Sequence, residues 1–177
     1  LAETLKDHAH APPDLAARLA RDLERQVSEP VLRFCAALRD SDLLDILGQH
    51  PESWAVQAIS ARPDVSAEVS EAVLKTGDIP AGHILISNDG AEMTRAMLED
   101  IIEKARNTPE WHSAVATRKN LPPDLAQELA EFVDESVRTL LLNRSDFDKE
   151  TIDEIMNVVQ RRMAYAGTES DETPVER

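Results

Sequence analysis

Pro122–Leu142 reads PPDLAQELAEFVDESVRTLLL and Pro12–Leu32 reads PPDLAARLARDLERQVSEPVL, one nearly the copy of the other. They align without a gap at a spacing of 110 residues, sharing Pro-Pro-Asp-Leu-Ala, then Leu-Ala, a Val and a final Leu. Between them Ala58–Val65 (AISARPDV) shadows Ala114–Leu121 (AVATRKNL). Repetition of this kind implies stacked units, each burying its apolar face against its neighbours. The fold class expected is all-α: an α-solenoid of short HEAT-like helix pairs, about eleven helices in total.

Composition agrees with a helical chain. The 177 residues hold five Gly, ten Pro and only 3% aromatics, so the core is expected to be aliphatic. The formal charge is -15, which opposes nucleic acid and anionic membranes, because both attract Lys and Arg. One cysteine, Cys35, forms no internal disulfide, and its stripe with Val31 and Leu38 makes it a small buried hydrophobe. No apolar run reaches the roughly 20 residues of a membrane span and no signal peptide opens the chain, so a cytoplasmic protein is expected. Leu1 already stands in a helix-like segment (LAETLKDH), which points to a segment of a longer protein.

Proline reads as the opener of helices, where it has no N–H to lose. Pro12-Pro13 opens one with Leu15 and Leu19 on one face. Ser28 is read as the cap of the next, with Pro30 in its first turn, and Ser41 as the cap of a third that Gly48 ends. Pro51 starts a helix bearing Trp54, Ala58 and Ile59. Ser66 precedes another that Gly77 closes, and Pro80 begins one ending at Asn88-Asp89-Gly90. Ala91–Arg106 reads as one longer amphipathic helix, and Pro109 opens the next. Pro122 begins a run through Leu129, Val133 and Leu141 to Asn143. Ser145 or Asp146 caps the last helix, with Ile152, Ile155 or Met156, Val159 and Met163. The spacing amounts to helix pairs of roughly 27 residues, shorter than the usual HEAT pair. Residues 1–165 are expected to form one helical-repeat domain with units at about 12–62, 63–118 and 119–165. Residues 166–177, with little to bury, are expected to be a disordered tail.

The segments Trp54–Asp78 (WAVQAISARPDVSAEVSEAVLKTGD) and His112–Val137 (HSAVATRKNLPPDLAQELAEFVDESV) carry a resemblance to a known family. The chain resembles a bacterial family of HEAT-like or leucine-rich-variant-like helical proteins of uncharacterised function. The resemblance covers roughly Pro12 to Asn143. It implies a fold and no activity, so it assigns no functional residue.

The residues that stand out are mostly structural in kind. Asp14, Glu68 and Asp124 fall in first turns, where acids offset the helix dipole. Arg62 and Arg118 stand at matching helix ends, where they either compensate the dipole or grip a carboxylate-bearing partner from one ridge. Trp54 and Trp111 follow proline-started turns, as buried anchors or as interface residues. His8 and His10 lack accompanying ligands for zinc. Asp146, Asp148, Glu150, Asp153 and Glu154 lack the spacing of a calcium loop. No catalytic set appears, so neither an enzyme, a cofactor nor a metal is expected. The function expected is non-enzymatic: a scaffold or regulatory domain that docks another protein. Arg62, Arg118, Trp54 and Trp111 are the candidate partner-binding residues. The alternative is a nucleic-acid-associated helical repeat that gathers Arg18, Arg21, Arg25, Arg33 and Arg39 on one face. A small-molecule enzyme is the third and least supported reading.

Overall fold

The structure, a computed structural model, describes residues 12–168, with side chains to residue 165. Eleven α-helices are found among them: α1 (Pro13–Ala20), α2 (Arg25–Phe34), α3 (Asp40–Gly48), α4 (Ser53–Ser60), α5 (Ala67–Lys75), α6 (Ile79–Ser87), α7 (Arg95–Ala105), α8 (His112–Thr117), α9 (Pro123–Ala130), α10 (Glu135–Leu142) and α11 (Lys149–Thr168). A 3-10 turn, Pro109–Trp111, leads into α8. The described residues contain no β-strand, only a single bridge between Val65 and Ala91. The odd-numbered helices begin at residues 13, 40, 67, 95, 123 and 149, every 26 to 28 residues. The 110-residue offset of the doubled segments therefore spans four helix pairs.

The chain divides into two compact units, Leu1–Leu98 and Glu99–Arg177. In the first, α2 packs on α4 and α4 on α6, while α3 packs on α5. Even-numbered helices thus form one layer and odd-numbered helices another, with Leu32, Ile59, Val69, Val73, Leu85 and Ile86 fully buried. In the second, α8 packs on α10 and α9 on α11, around Leu129, Val133, Leu141 and Ile155. Aliphatic side chains supply nearly all of this core, as the composition requires.

Helix starts follow local chemistry. Ser66 accepts a hydrogen bond from Val69 N–H and Asp78 from Ala81 N–H, each satisfying an amide that has no intrahelical partner. Gly77 (φ 73°) closes the turn after α5, a conformation that suits glycine.

Several sequence expectations are corrected. Ser28 does not cap: α2 begins at Arg25, Ser28 is buried with its hydroxyl donating to the Glu24 carbonyl, and Pro30 lies inside the helix. Ser41 does not cap α3 either, since the Asp42 carboxylate takes the Arg39 N–H at 3.1 Å. Ala91–Thr94 is not helical, because Ala91 pairs with Val65 and the Thr94 hydroxyl accepts from Met97 N–H to start α7. The run from Pro122 to Asn143 is two helices, broken where Asp134 caps α10 through Val137 N–H. The last helix is capped by Asp148 through Thr151 N–H, while Asp146 pairs with Arg144.

The doubled segments differ in burial. Leu125 and Leu129 are buried, whereas Leu15 is 48% exposed. α9 has α8, α10 and α11 around it, while α1 packs chiefly on α2. In α11, Ile155 is buried and Met156 and Met163 are exposed. The helical backbone continues to Thr168, into the expected tail; residues 169–177 of that tail lie outside the described residues, as do His8 and His10.

Candidate functional site

Arg62 follows α4 and is buried. Its Nη1 donates to the Leu32 carbonyl at 2.5 Å and its Nη2 to the Cys35 carbonyl at 2.9 Å, so both terminal nitrogens engage backbone at the end of α2. Burial pulls its guanidinium below the ordinary arginine value, yet that value is so high that the group stays cationic at neutral pH. One helix pair later Asn88, following α6, donates to the Ser60 and Arg62 carbonyls at 2.9 and 2.8 Å. In the second unit Arg144, following α10, donates to the Ala116 and Arg118 carbonyls at 2.7 and 2.8 Å. Each of these side chains satisfies carbonyls at the end of the even-numbered helix before its own, groups that an α-helix leaves without partners. Arg118 is half-buried at the corresponding place after α8.

The sequence pairs Arg62 with Arg118 but misses Asn88 and Arg144 as members of the same series. The signal was a polar donor one or two residues past α4, α6, α8 and α10, at positions 62, 88, 118 and 144, with none after α2. Arg and Asn look unrelated by type, although either can reach two carbonyls at once.

The two tryptophans sit differently. Trp111 is buried. Trp54 is half-exposed at the start of α4; its Nε1 donates to the Glu52 carboxylate at 2.8 Å, and the Arg25 guanidinium lies 5.3 Å from its ring centre. Arg25 in turn holds Glu29 at 2.7 Å, a contact that keeps the Glu29 carboxyl below its ordinary range. Trp54 forms one wall of a cleft of about 270 Å³ between the α1–α2 connection and the α3–α4 connection. Leu32 and Ile46 line it from the core and Leu23, fully exposed, stands at its rim. Of the five arginines considered for a basic face, Arg21 is paired with Asp45, Arg25 with Glu29 and Arg39 with Asp42.

Charge is divided unevenly among the helices of the first unit, and within the even-numbered layer it is confined to α2, which carries Arg25, Glu29 and Arg33. In the first unit α3 carries Asp40, Asp42 and Asp45, and α5 carries Glu68, Glu71 and Lys75, whereas α4 (SWAVQAIS) and α6 (IPAGHILIS) carry no Asp, Glu, Lys or Arg. Burial alone does not explain this: Ser53, Ile79, Pro80 and Ser87 are exposed, and Trp54, Gln57, His83 and Ile84 half-buried. Solvent-facing positions are therefore filled by uncharged side chains in a chain that is 30% charged. The sequence singles out neither Gln57 nor Ile79, and it marks His83 and Ile84 only as a helix-end histidine without a ligand set and an apolar residue of the helix that Pro80 begins. The signal for them was the absence of charge rather than the presence of a motif.

Among the described residues no group of three His, Cys, Asp or Glu is placed to hold a metal ion, and no helix is long and apolar enough to cross a membrane. Cys35 is buried and free. Fold and surface together define an all-helical protein of short paired helices. Residues 27–177 match the model of a bacterial family described as an uncharacterised protein conserved in bacteria (DUF2336), and the chain belongs to that family. No curated protein and no solved structure matches it.

Proposed function

We propose that this chain is a non-enzymatic docking scaffold, an α-solenoid of short HEAT-like helix pairs that binds another protein through the layer containing α4 and α6, in the bacterial cytoplasm. The observation that carries the reading is the pair of uncharged helices with solvent-facing Trp54, Gln57, Ile79, His83 and Ile84. The centre of a protein interface is depleted in charge and enriched in aromatic residues, while ordinary surface mixes charges of both signs. The regular spacing of the odd-numbered helices and the donors that follow α4 and α6 suit a repeat whose partner lies across one layer. Arg62 belongs to the bracing of that layer, and Trp54 to its face.

A photo-crosslinking amino acid placed singly at Gln57 or His83 in cells is expected to trap one discrete protein. The same group at Glu71 or Lys75 on α5 is expected to trap none. Equal adducts from both pairs, or none from the first in a folded chain, refute the reading.

A further inference from the structure

We infer that the Trp54 cleft receives an aliphatic side chain of the partner flanked by basic residues. This rests on the docking reading above and names the chemistry of one contact within it. The apolar part of the argument is the lining: Leu32, Ile46 and Trp54 surround a space of about 270 Å³, enough for one Leu or Met side chain with room at its mouth. Burying such a side chain removes apolar surface from water, and the exposed Leu23 at the rim adds contact once a partner covers it.

The basic part comes from the charges around the cleft. Arg21 and Arg25 are the nearby cations, and each is already held by a carboxylate, at 2.6 Å by Asp45 and at 2.7 Å by Glu29. Asp22 and Glu52 are exposed lining residues, and neither is in an ion-pair contact among the described residues. Asp22 accepts only the Glu24 N–H, and Glu52 the Trp54 indole N–H. Arg25 also acts on Glu52, and Arg33, further off, on Glu29, so three cations face four anions. With Asp22 and Glu52 outside any ion pair among the described residues, an incoming Lys or Arg meets a net negative rim while an incoming Asp or Glu meets repulsion. Complementarity of this kind sets partner choice and encounter rate more than affinity.

The Trp54 indole N–H reports occupancy directly by NMR of the whole chain. Titration with acetyl-Lys-Leu-Lys-amide is expected to shift its cross-peak saturably. Acetyl-Glu-Leu-Glu-amide and acetyl-Lys-Ser-Lys-amide are each expected to bind at least about fivefold more weakly. Asp22→Asn and Glu52→Gln, both at exposed positions, are each expected to weaken Lys-Leu-Lys binding about threefold and to flatten its salt dependence. A peak unmoved by Lys-Leu-Lys, or moved equally by the acidic peptide, overturns the inference. The crosslinking result separates the two claims: adducts at Gln57 and His83 with a silent cleft leave the scaffold standing and remove only this contact.

Discussion

Gly90 shows how tightly single positions are determined. A Cβ added there would lie 1.8 Å from the Pro63 carbonyl oxygen and 2.9 Å from its carbon, both backbone atoms that cannot rotate away. The same segment is held by the Val65 N–H to Gly90 carbonyl bond at 3.0 Å, the Glu92 N–H to Val65 carbonyl bond at 2.8 Å and the Gly90 N–H to Asn88 Oδ1 bond at 3.0 Å. Gly90→Ala is therefore expected to destabilise the chain by about 2–4 kcal/mol in urea titration, since relief requires moving bonded backbone. Gly48 supplies the contrast. Nothing lies within 4 Å of its added Cβ and it ends a helix, so Gly48→Ala is expected to be neutral or to stabilise by up to about 1 kcal/mol. Equal costs at the two positions would refute the close approach. From sequence, Asn88-Asp89-Gly90 reads as a turn, and it is one. That the glycine is needed for a close approach to Pro63 depends on a pairing between two connections, which no local pattern encodes.

At the scale of the element, the sequence was most readable where a cap or a glycine acts locally, and least where burial overrides the local signal. Ser66, Gly77 and the helices beginning near Pro51, Pro80 and Pro123 stand where their chemistry places them. The opposite case is α2. Ser28 followed by Pro30 is a proper N-terminal signature, yet the helix starts at Arg25 and Pro30 falls sixth in it. Val31, Leu32 and Ser28 are all buried, and extending the helix backward keeps them on one face. Either start leaves Val31 on the buried face, so periodicity had no means of deciding between them; Cys35 and Leu38, expected on the same helical stripe, are buried but lie past the helix end at Phe34. The candidate site was legible only in part for a related reason. A half-exposed Trp54 and a buried Trp111 follow similar proline turns, and their difference lies in neighbours contributed by other helices. An interior proline lacks the N–H that would meet the Gln26 carbonyl. Pro30→Ala is accordingly expected to raise stability by about 1–3 kcal/mol and to increase helical circular dichroism slightly. A loss of stability would mean that the helix begins after Pro30.

For the whole molecule the dominant quantity is the net charge of -15, with a pI near 4.7. Self-repulsion destabilises the compact state, and at neutral pH salt screens it, so added NaCl is expected to raise the urea midpoint. Moving from pH 7.5 toward 5.5 removes negative charge and is expected to act in the same direction. A second effect opposes further acidification. Asp134 is held below the ordinary carboxylate range by the Ser136 hydroxyl and the Val137 N–H, Asp146 by Arg144, and Asp148 by the Thr151 hydroxyl and N–H. A carboxylate with a lowered folded pKa stabilises the fold above its unfolded value of about 4, and that contribution is lost as pH falls through the folded value. All three lie in the second unit, two of them capping α10 and α11. Stability is therefore expected to peak between about pH 5 and 6 and to drop below about pH 4. Amide exchange at the starts of α10 and α11 should rise first on the acid side, in excess of the change expected from pH alone. A profile that falls steadily from pH 7.5 would show that ion pairs such as Arg21–Asp45 and Arg106–Glu128 outweigh the net repulsion. Retention of full stability at pH 3 would show that the three carboxylates contribute nothing.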